Sequence, residues 1–147
     1  MSLSLPAWFR QEVPSREALQ VSGRLTQNGV HTVCIQAKCP NANFCFSRHQ
    51  ATFMILGAAC TRNCSFCAVT HQPDAGQLSL DEGEPKRIAQ IIQSLGIRFA
   101  VVTSVTRDDL EDGGASQFVR TIASIRALDS DIRIEVLIHD FKGRQES

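Results

Sequence analysis

The residues best suited to chemistry are six cysteines, all within positions 34–67 of a 147-residue chain. They form two triplets: Cys34, Cys39 and Cys45 in the segment CIQAKCPNANFC, and Cys60, Cys64 and Cys67 in the segment CTRNCSFC. Each group offers three thiolates where a tetrahedral metal site wants four. A structural zinc site closes with a fourth protein ligand, whereas a site one ligand short keeps a position open for chemistry. Thiolates select zinc, Cu(I) or iron–sulfur clusters, and iron–sulfur clusters usually take four cysteines. Three sulfurs in one short loop can wrap a single cluster and leave one iron open. The competing readings are a zinc knuckle, completed by His71 at the second triplet or by His31 or His49 at the first, and a disulfide framework. The C-x3-C-x2-C spacing of the second triplet lacks the paired C-x2-C usual for zinc modules.

Such loops need a scaffold. From position 51 onward, apolar β-rich runs alternate with amphipathic stretches, which predicts a parallel α/β arrangement. A strand over 52–56 feeds the second cysteine loop. A helix over 85–95 follows, with Pro85 suited to its first turn, Ile88, Ala89, Ile91, Ile92 and Leu95 forming an apolar stripe, and Gly96 ending it. A second strand over 98–103 leads into an Asp-rich loop over 104–114. A helix over 115–128, with Phe118, Val119, Ile122, Ile125 and Leu128 inward, and a third strand over 133–138 complete the pattern. Residues 1–50 form an extension with a helix over 15–28, where Ser15 caps and Glu17 and Ala18 lie in the first turn. The first triplet turns through Pro40 and Asn41. In parallel β/α folds ligands bind beyond the C-terminal ends of the strands. Both the second cysteine loop and the Asp-rich loop fall there.

Composition narrows the function. The chain is one domain's worth of sequence. Fifteen basic and fifteen acidic residues give a formal net charge of zero, so there is no electrostatic footprint for nucleic acid or an anionic membrane. A protein or small-molecule partner fits better. No run approaches the ~20 apolar residues of a membrane span, and the N-terminus lacks a basic region followed by an apolar one. The expectation is therefore a cytoplasmic protein whose thiols stay reduced and free for a metal.

The C-x3-C-x2-C loop, with Phe66 before its last cysteine, resembles the signature of the radical S-adenosylmethionine (SAM) superfamily. With the first triplet upstream, it resembles the lipoyl synthase family in particular. The likeness runs over about residues 32–143, through TVC (32–34), AKCPN (37–41), ATFMILG (51–57), CTRNC (60–64), FCAV (66–69), Glu84-Pro85, TSV (103–105), RDDL (107–110), DGGA (112–115) and IEVLI (134–138). It departs where Phe46 replaces the family's usual Trp, where His49-Gln50 replaces Gly-Thr, and at Thr106 and His139.

The resemblance implies the following. The fold is α/β, a partial parallel (β/α) barrel of radical SAM type cut after about three β/α units. Residues 1–50 carry an auxiliary cluster and residues 51–147 make the first half of the barrel. The activity is that of a sulfurtransferase that inserts two sulfur atoms at C6 and C8 of a protein-bound octanoyl group to form lipoyl. Cofactors are SAM and two [4Fe-4S] clusters. Cys60, Cys64 and Cys67 hold the SAM-binding cluster, and Cys34, Cys39 and Cys45 hold the auxiliary sulfur donor. Phe66 packs near the adenine, while Thr103, Ser104, Arg107, Asp108 and Asp109 contact SAM or position substrate. Partners are octanoylated lipoyl-carrier domains and an electron donor such as flavodoxin or ferredoxin. Family members continue past position 147 to an Arg-Ser-Ser-Tyr segment whose serine is the fourth ligand of the auxiliary cluster, so the 147 residues alone are not expected to make lipoyl.

Several of these positions have plainer explanations. Asp108, Asp109, Glu111 and Asp112 precede a helix whose macrodipole favours acidic residues, and Gly113-Gly114 can simply make a turn. Arg62 and Lys38 could tune a cluster by charge or by a hydrogen bond to sulfur. His139 and Asp140 follow the third strand and could face the cavity, but a loop His is as often a solvated turn residue, and His139 is given no catalytic role. Another radical SAM sulfur-inserting enzyme and a non-catalytic zinc-binding protein remain as alternative functions.

Overall fold

The computed structural model describes residues 6, 13–71 and 79–143. The remaining parts of the two expected regions, residues 1–5, 7–12, 72–78 and 144–147, lie outside them. The expected strand–helix alternation is present. β1 (Gln50–Ile55), β4 (Phe99–Ser104) and β5 (Arg133–Leu137) form a three-stranded sheet in the order β1-β4-β5, parallel throughout. The crossovers are α4 (Glu84–Ser94) and α5 (Ala115–Leu128), which pack on each other. The sheet is parallel because each connection is long enough to carry a helix back to the start of the next strand.

The helices form where the apolar period places a buried stripe. In α4, Pro85 sits in the first turn and Ile88, Ala89, Ile91 and Ile92 are buried. Gly96, at φ +62°, allows the left-handed turn into Ile97, whose backbone N–H bonds back to the carbonyl of Ile92. In α5 the stripe differs from the expected one. Phe118 and Ile125 are buried as expected, but Val119 is 66% and Leu128 43% exposed, while Gln117 and Thr121 are fully buried. Position 121 lies one helical turn from both 117 and 125, so geometry selects it over the neighbouring apolar residues. Its hydroxyl bonds the Gln117 carbonyl at 2.7 Å, which satisfies the polar atom without solvent.

The N-terminal region packs onto the same core. α1 (Arg16–Gln27) is capped by Ser15, whose hydroxyl accepts from the Ala18 N–H at 3.1 Å, and it buries Ala18 and Leu25. Two short helices that the pattern did not reveal, α2 (Val33–Gln36) and α3 (Ala42–Ser47), pack on β1. A single antiparallel bridge joins Thr32 to Phe53, and the Met54 N–H bonds the His31 carbonyl at 2.9 Å. This segment covers the outer edge of β1. Among the described residues β5 has one strand neighbour, and its last apolar residues, Val136, Leu137 and the following Ile138, are exposed.

Two outcomes follow from this packing. Gly114 has φ +92°, and a Cβ there would lie 2.3 Å from Leu56 Cδ1. Gly114→Ala should lower the unfolding free energy by about 2–4 kcal/mol through strain and overpacking, seen as a lower urea midpoint. An apolar edge strand is a template for association. Light scattering at high protein concentration should show mass above the monomer, returning towards it in Val136→Lys; equal association by the two proteins would rule the edge out.

Candidate metal and cofactor site at the strand ends

Parallel strands deliver their loops to one end of the sheet, and the second cysteine loop is built there. β2 (Ala59–Cys60) and β3 (Thr70–His71) pair as a two-residue parallel ladder, Ala59 with Thr70 and Cys60 with His71. The loop from 61 to 69 is thereby closed at its base. Cys60 is half-buried, and its Sγ accepts from the backbone N–H groups of Arg62 and Thr106, both at 3.4 Å. Cys64 and Cys67 are exposed, with the Cys67 N–H bonded to the Cys64 carbonyl at 3.0 Å. Phe66 is 91% exposed.

The entry to this loop is held by a buried carboxylate. Glu84, at the start of α4, accepts from the Leu56 N–H at 2.9 Å, the Gly57 N–H at 3.2 Å and Gln117 Nε2 at 3.1 Å. Leu56 and Gly57 both have positive φ, 69° and 87°. The sharp turn after β1 thus leaves two amide donors inside the protein, and Glu84 satisfies both. A cavity of about 380 Å³ opens beside this turn, lined by residues including Leu56, Gly57, Ala59, Thr70, Asp81 and Arg107.

The loop is also tied sideways. Thr61 donates both its backbone N–H and its hydroxyl to the Thr106 carbonyl at 3.0 Å, and the Asp108 N–H reaches the Thr61 hydroxyl at 3.2 Å. The Arg62 guanidinium meets two carboxylates from two other loops. It bonds Asp108 through Nε at 2.8 Å and Nη2 at 3.0 Å, and Asp140 through Nη1 at 3.1 Å and Nη2 at 2.8 Å. These charge-assisted bonds hold the Asp140 carboxyl at a pKa of about 2 and lower that of Asp108. Lys142 adds a bond from Nζ to the Asp108 carbonyl at 3.2 Å. Arg62 therefore does not donate to sulfur through its side chain, as the sequence allowed; its backbone N–H does.

The other expected contacts divide by role. Arg107 is almost fully buried and bonds Asp109 twice, at 2.8 and 2.7 Å, lowering the Asp109 pKa. Asp112 accepts from the Gly114 and Ser116 N–H groups, both at 2.8 Å, so the helix-start explanation holds for it. Thr103 donates its hydroxyl to the Leu137 carbonyl at 2.9 Å. Ser104 Oγ is buried at the end of β4 and has no hydrogen-bond partner among the described residues. His139 bonds the Gly113 carbonyl through Nε2 at 3.1 Å and accepts the Phe141 N–H at Nδ1, so it serves as a spacer between two loops.

The first triplet occupies the covered side of β1. Cys34 lies in α2 and is buried; Cys39 sits before the Pro40-Asn41 turn, where the Ala42 N–H bonds the Cys39 carbonyl at 3.2 Å; Cys45 lies in α3. Burial pushes the Cys34 thiol up, with Cys39 and Cys45 adding to the effect and a hydrogen bond with the Thr52 backbone opposing it. His49 Nδ1 bonds the Leu95 carbonyl at 3.2 Å, and His31 Nδ1 pairs with Gln36 at 3.0 Å. Neither histidine is held as a fourth ligand.

All six cysteines are free in this structure, with none joined in a disulfide. Among the described residues, no three His, Cys, Asp or Glu side chains come together as a group that could hold a metal ion. What the structure provides is the donor set: two triplets of free thiols on short local segments, one with backbone N–H groups already aimed at sulfur. That chemistry fits thiolate-bound clusters.

Curated proteins named lipoyl synthase match nearly the whole chain. That of Shewanella frigidimarina (strain NCIMB 400) is 47% identical over 144 residues, covering 97% of this chain. Those of Yersinia pestis (strain Pestoides F) and Yersinia pseudotuberculosis serotype O:1b (strain IP 31758) are 45% identical over 146 residues, covering 98%. This chain is a homologue of lipoyl synthases. It spans 44% of the length of these relatives. No protein-family model matches it. Among the described residues, no helix is long and apolar enough to cross a membrane.

In the sequence Glu84 stands out only as part of the Glu84-Pro85 motif, and its anchoring role arises from contacts 27, 28 and 33 positions away. Replacing it with Gln substitutes a donor for one acceptor facing two amides. Glu84→Gln should cost roughly 2–3 kcal/mol by urea unfolding, and an unchanged midpoint would remove the anchor.

Proposed function

We propose that this chain carries the cluster-binding portion of a lipoyl synthase, which converts a protein-bound octanoyl group into lipoyl by SAM-dependent radical sulfur insertion. The observation that carries this reading is the conjunction of two free cysteine triplets with 45–47% identity to lipoyl synthases over nearly all of the chain. The three-stranded parallel sheet supports a partial barrel of radical SAM type. Cys60, Cys64 and Cys67 would hold the SAM-binding cluster, and Cys34, Cys39 and Cys45 the auxiliary one. When bound, these groups supply hydrogen-atom abstraction from unactivated C–H bonds and the sulfur that replaces the hydrogen; no side chain is basic enough for deprotonation at such carbons.

The chain's own residues bind and orient. Exposed Phe66 offers a ring for the adenine of SAM, and the unpartnered Ser104 hydroxyl offers a hydrogen bond at the end of β4. Arg107, Asp108 and Asp109 act by shaping the loop beside the cavity, since Arg107 pairs with Asp109 and Asp108 with Arg62. Fixing SAM and the octanoyl chain at contact distance is the larger part of the protein's contribution. The substrate arrives on a carrier domain, a flavodoxin or ferredoxin supplies electrons, and the setting is the reducing cytoplasm.

Anaerobic reconstitution tests this reading. Iron and acid-labile sulfide should be incorporated, and stoichiometric zinc instead would overturn it. Cys60→Ala, Cys64→Ala and Cys67→Ala should each abolish formation of 5′-deoxyadenosine. With the rest of a lipoyl synthase polypeptide present, Cys34→Ala, Cys39→Ala and Cys45→Ala should keep part of the SAM cleavage and lose lipoyl formation on an octanoylated carrier. Lipoyl product from any of these three would sink the assignment of the first triplet, and a different sulfur-containing product would favour another radical SAM sulfur inserter.

A further inference from the structure

We infer that Arg62 is a positioning residue that joins the second cysteine loop to the loops after β4 and β5, so that the geometry of Cys64 and Cys67 depends on Asp108 and Asp140. The inference rests on the proposed cluster role of those cysteines. Its geometric part stands independently of that role.

Three observations carry it. First, Arg62 makes four hydrogen bonds of 2.8–3.1 Å to two carboxylates, on loops 46 and 78 positions away. A planar guanidinium presents a rigid fork of donors, so two carboxylates engaged along two of its edges fix its plane as well as its position. Second, the same residue's backbone N–H reaches Cys60 Sγ. Side chain and main chain of one residue therefore connect the first sulfur of the triplet to two other strand ends. Third, the loop beyond Arg62 has little else to hold it. Positions 63–68 are all exposed, and the base of the loop is a ladder of only two residue pairs.

The Asp140 side chain is 63% exposed and that of Arg62 32%, so the pair with Asp140 taken alone adds little to global stability. Its effect is local. It selects one placement of the cysteine loop relative to the end of β5, and a lysine, with one ammonium, cannot reproduce both two-point contacts. Through Lys142, which bonds the Asp108 carbonyl, the segment after β5 closes on the same carboxylate-bearing turn.

The test uses the full 147-residue chain and two separate readouts. In the metal-free protein, hydrogen–deuterium exchange of peptides covering 61–69 should rise by roughly tenfold or more in Arg62→Gln, as expected for losing paired charge-assisted bonds. Peptides over β1 and α4 should be unchanged. Arg62→Lys should lie between, and Asp140→Asn should add nothing to Arg62→Gln. Wild-type exchange in Arg62→Gln would overturn the latch, and so would faster exchange spread over the whole chain. In the reconstituted, reduced protein, titration with SAM should shift the cluster's electron paramagnetic resonance signal. Arg62→Gln should keep its iron but need at least tenfold more SAM for the same shift, with Arg62→Lys partly restoring it. A wild-type SAM titration in Arg62→Gln would overturn the positioning role even if exchange had risen. A wild-type chain that binds no iron would refute the cluster reading and the positioning role with it, while the exchange data would still decide whether the latch exists.

Discussion

Three strands running in the same direction bring three loops to one end of the sheet, and those loops carry most of the polar chemistry of the chain. Such an assembly needs cross-links at that end, because the ladder stops where the strands stop. Two polar centres provide them. Glu84 closes the turn after β1 from within, and Arg62 joins the cysteine loop to the turns after β4 and β5 near the surface. The first is buried and bonds the backbone amides of buried Leu56 and half-buried Gly57. The second is solvated and bonds carboxylates, so it directs loop placement more than it stabilises the fold.

The two cysteine triplets sit in different physical settings. The first is wrapped by short helices against β1, with Cys34 buried and its thiol harder to ionise. The second has one half-buried sulfur that accepts two backbone N–H bonds and two exposed sulfurs. Under the proposed reading, this contrast would suit a division of labour in which the first triplet is sheltered and the second receives a small molecule from solvent. The cavity beside the turn after β1 lies next to the accessible loop.

The N-terminal region shares the apolar core of the sheet. Ala18, Leu25 and Val30 belong to the same apolar core as Phe53, Ile88 and Ile125. The bridge from Thr32 to Phe53 covers the edge of β1 that would otherwise present unpaired groups. β5 has no equivalent cover among the described residues. The two edges of one sheet therefore differ in kind.

The residue pattern alone determined the α/β alternation, the helix capped by Ser15, the stripe of Ile88, Ala89, Ile91 and Ile92, and the two thiol triplets at one short stretch of chain. These are local properties: periodicity, capping and ligand spacing are written within a few residues. The tertiary structure decided what depends on distant partners. It buried Thr121 in place of Val119, because helix phase and a bond to Gln117 outweigh residue type. It engaged Arg62 with Asp108 and Asp140, turned His49 to Leu95, and gave Glu84 its amides. None of these pairings has a sequence period, since each joins loops whose only relation is that parallel strands end side by side.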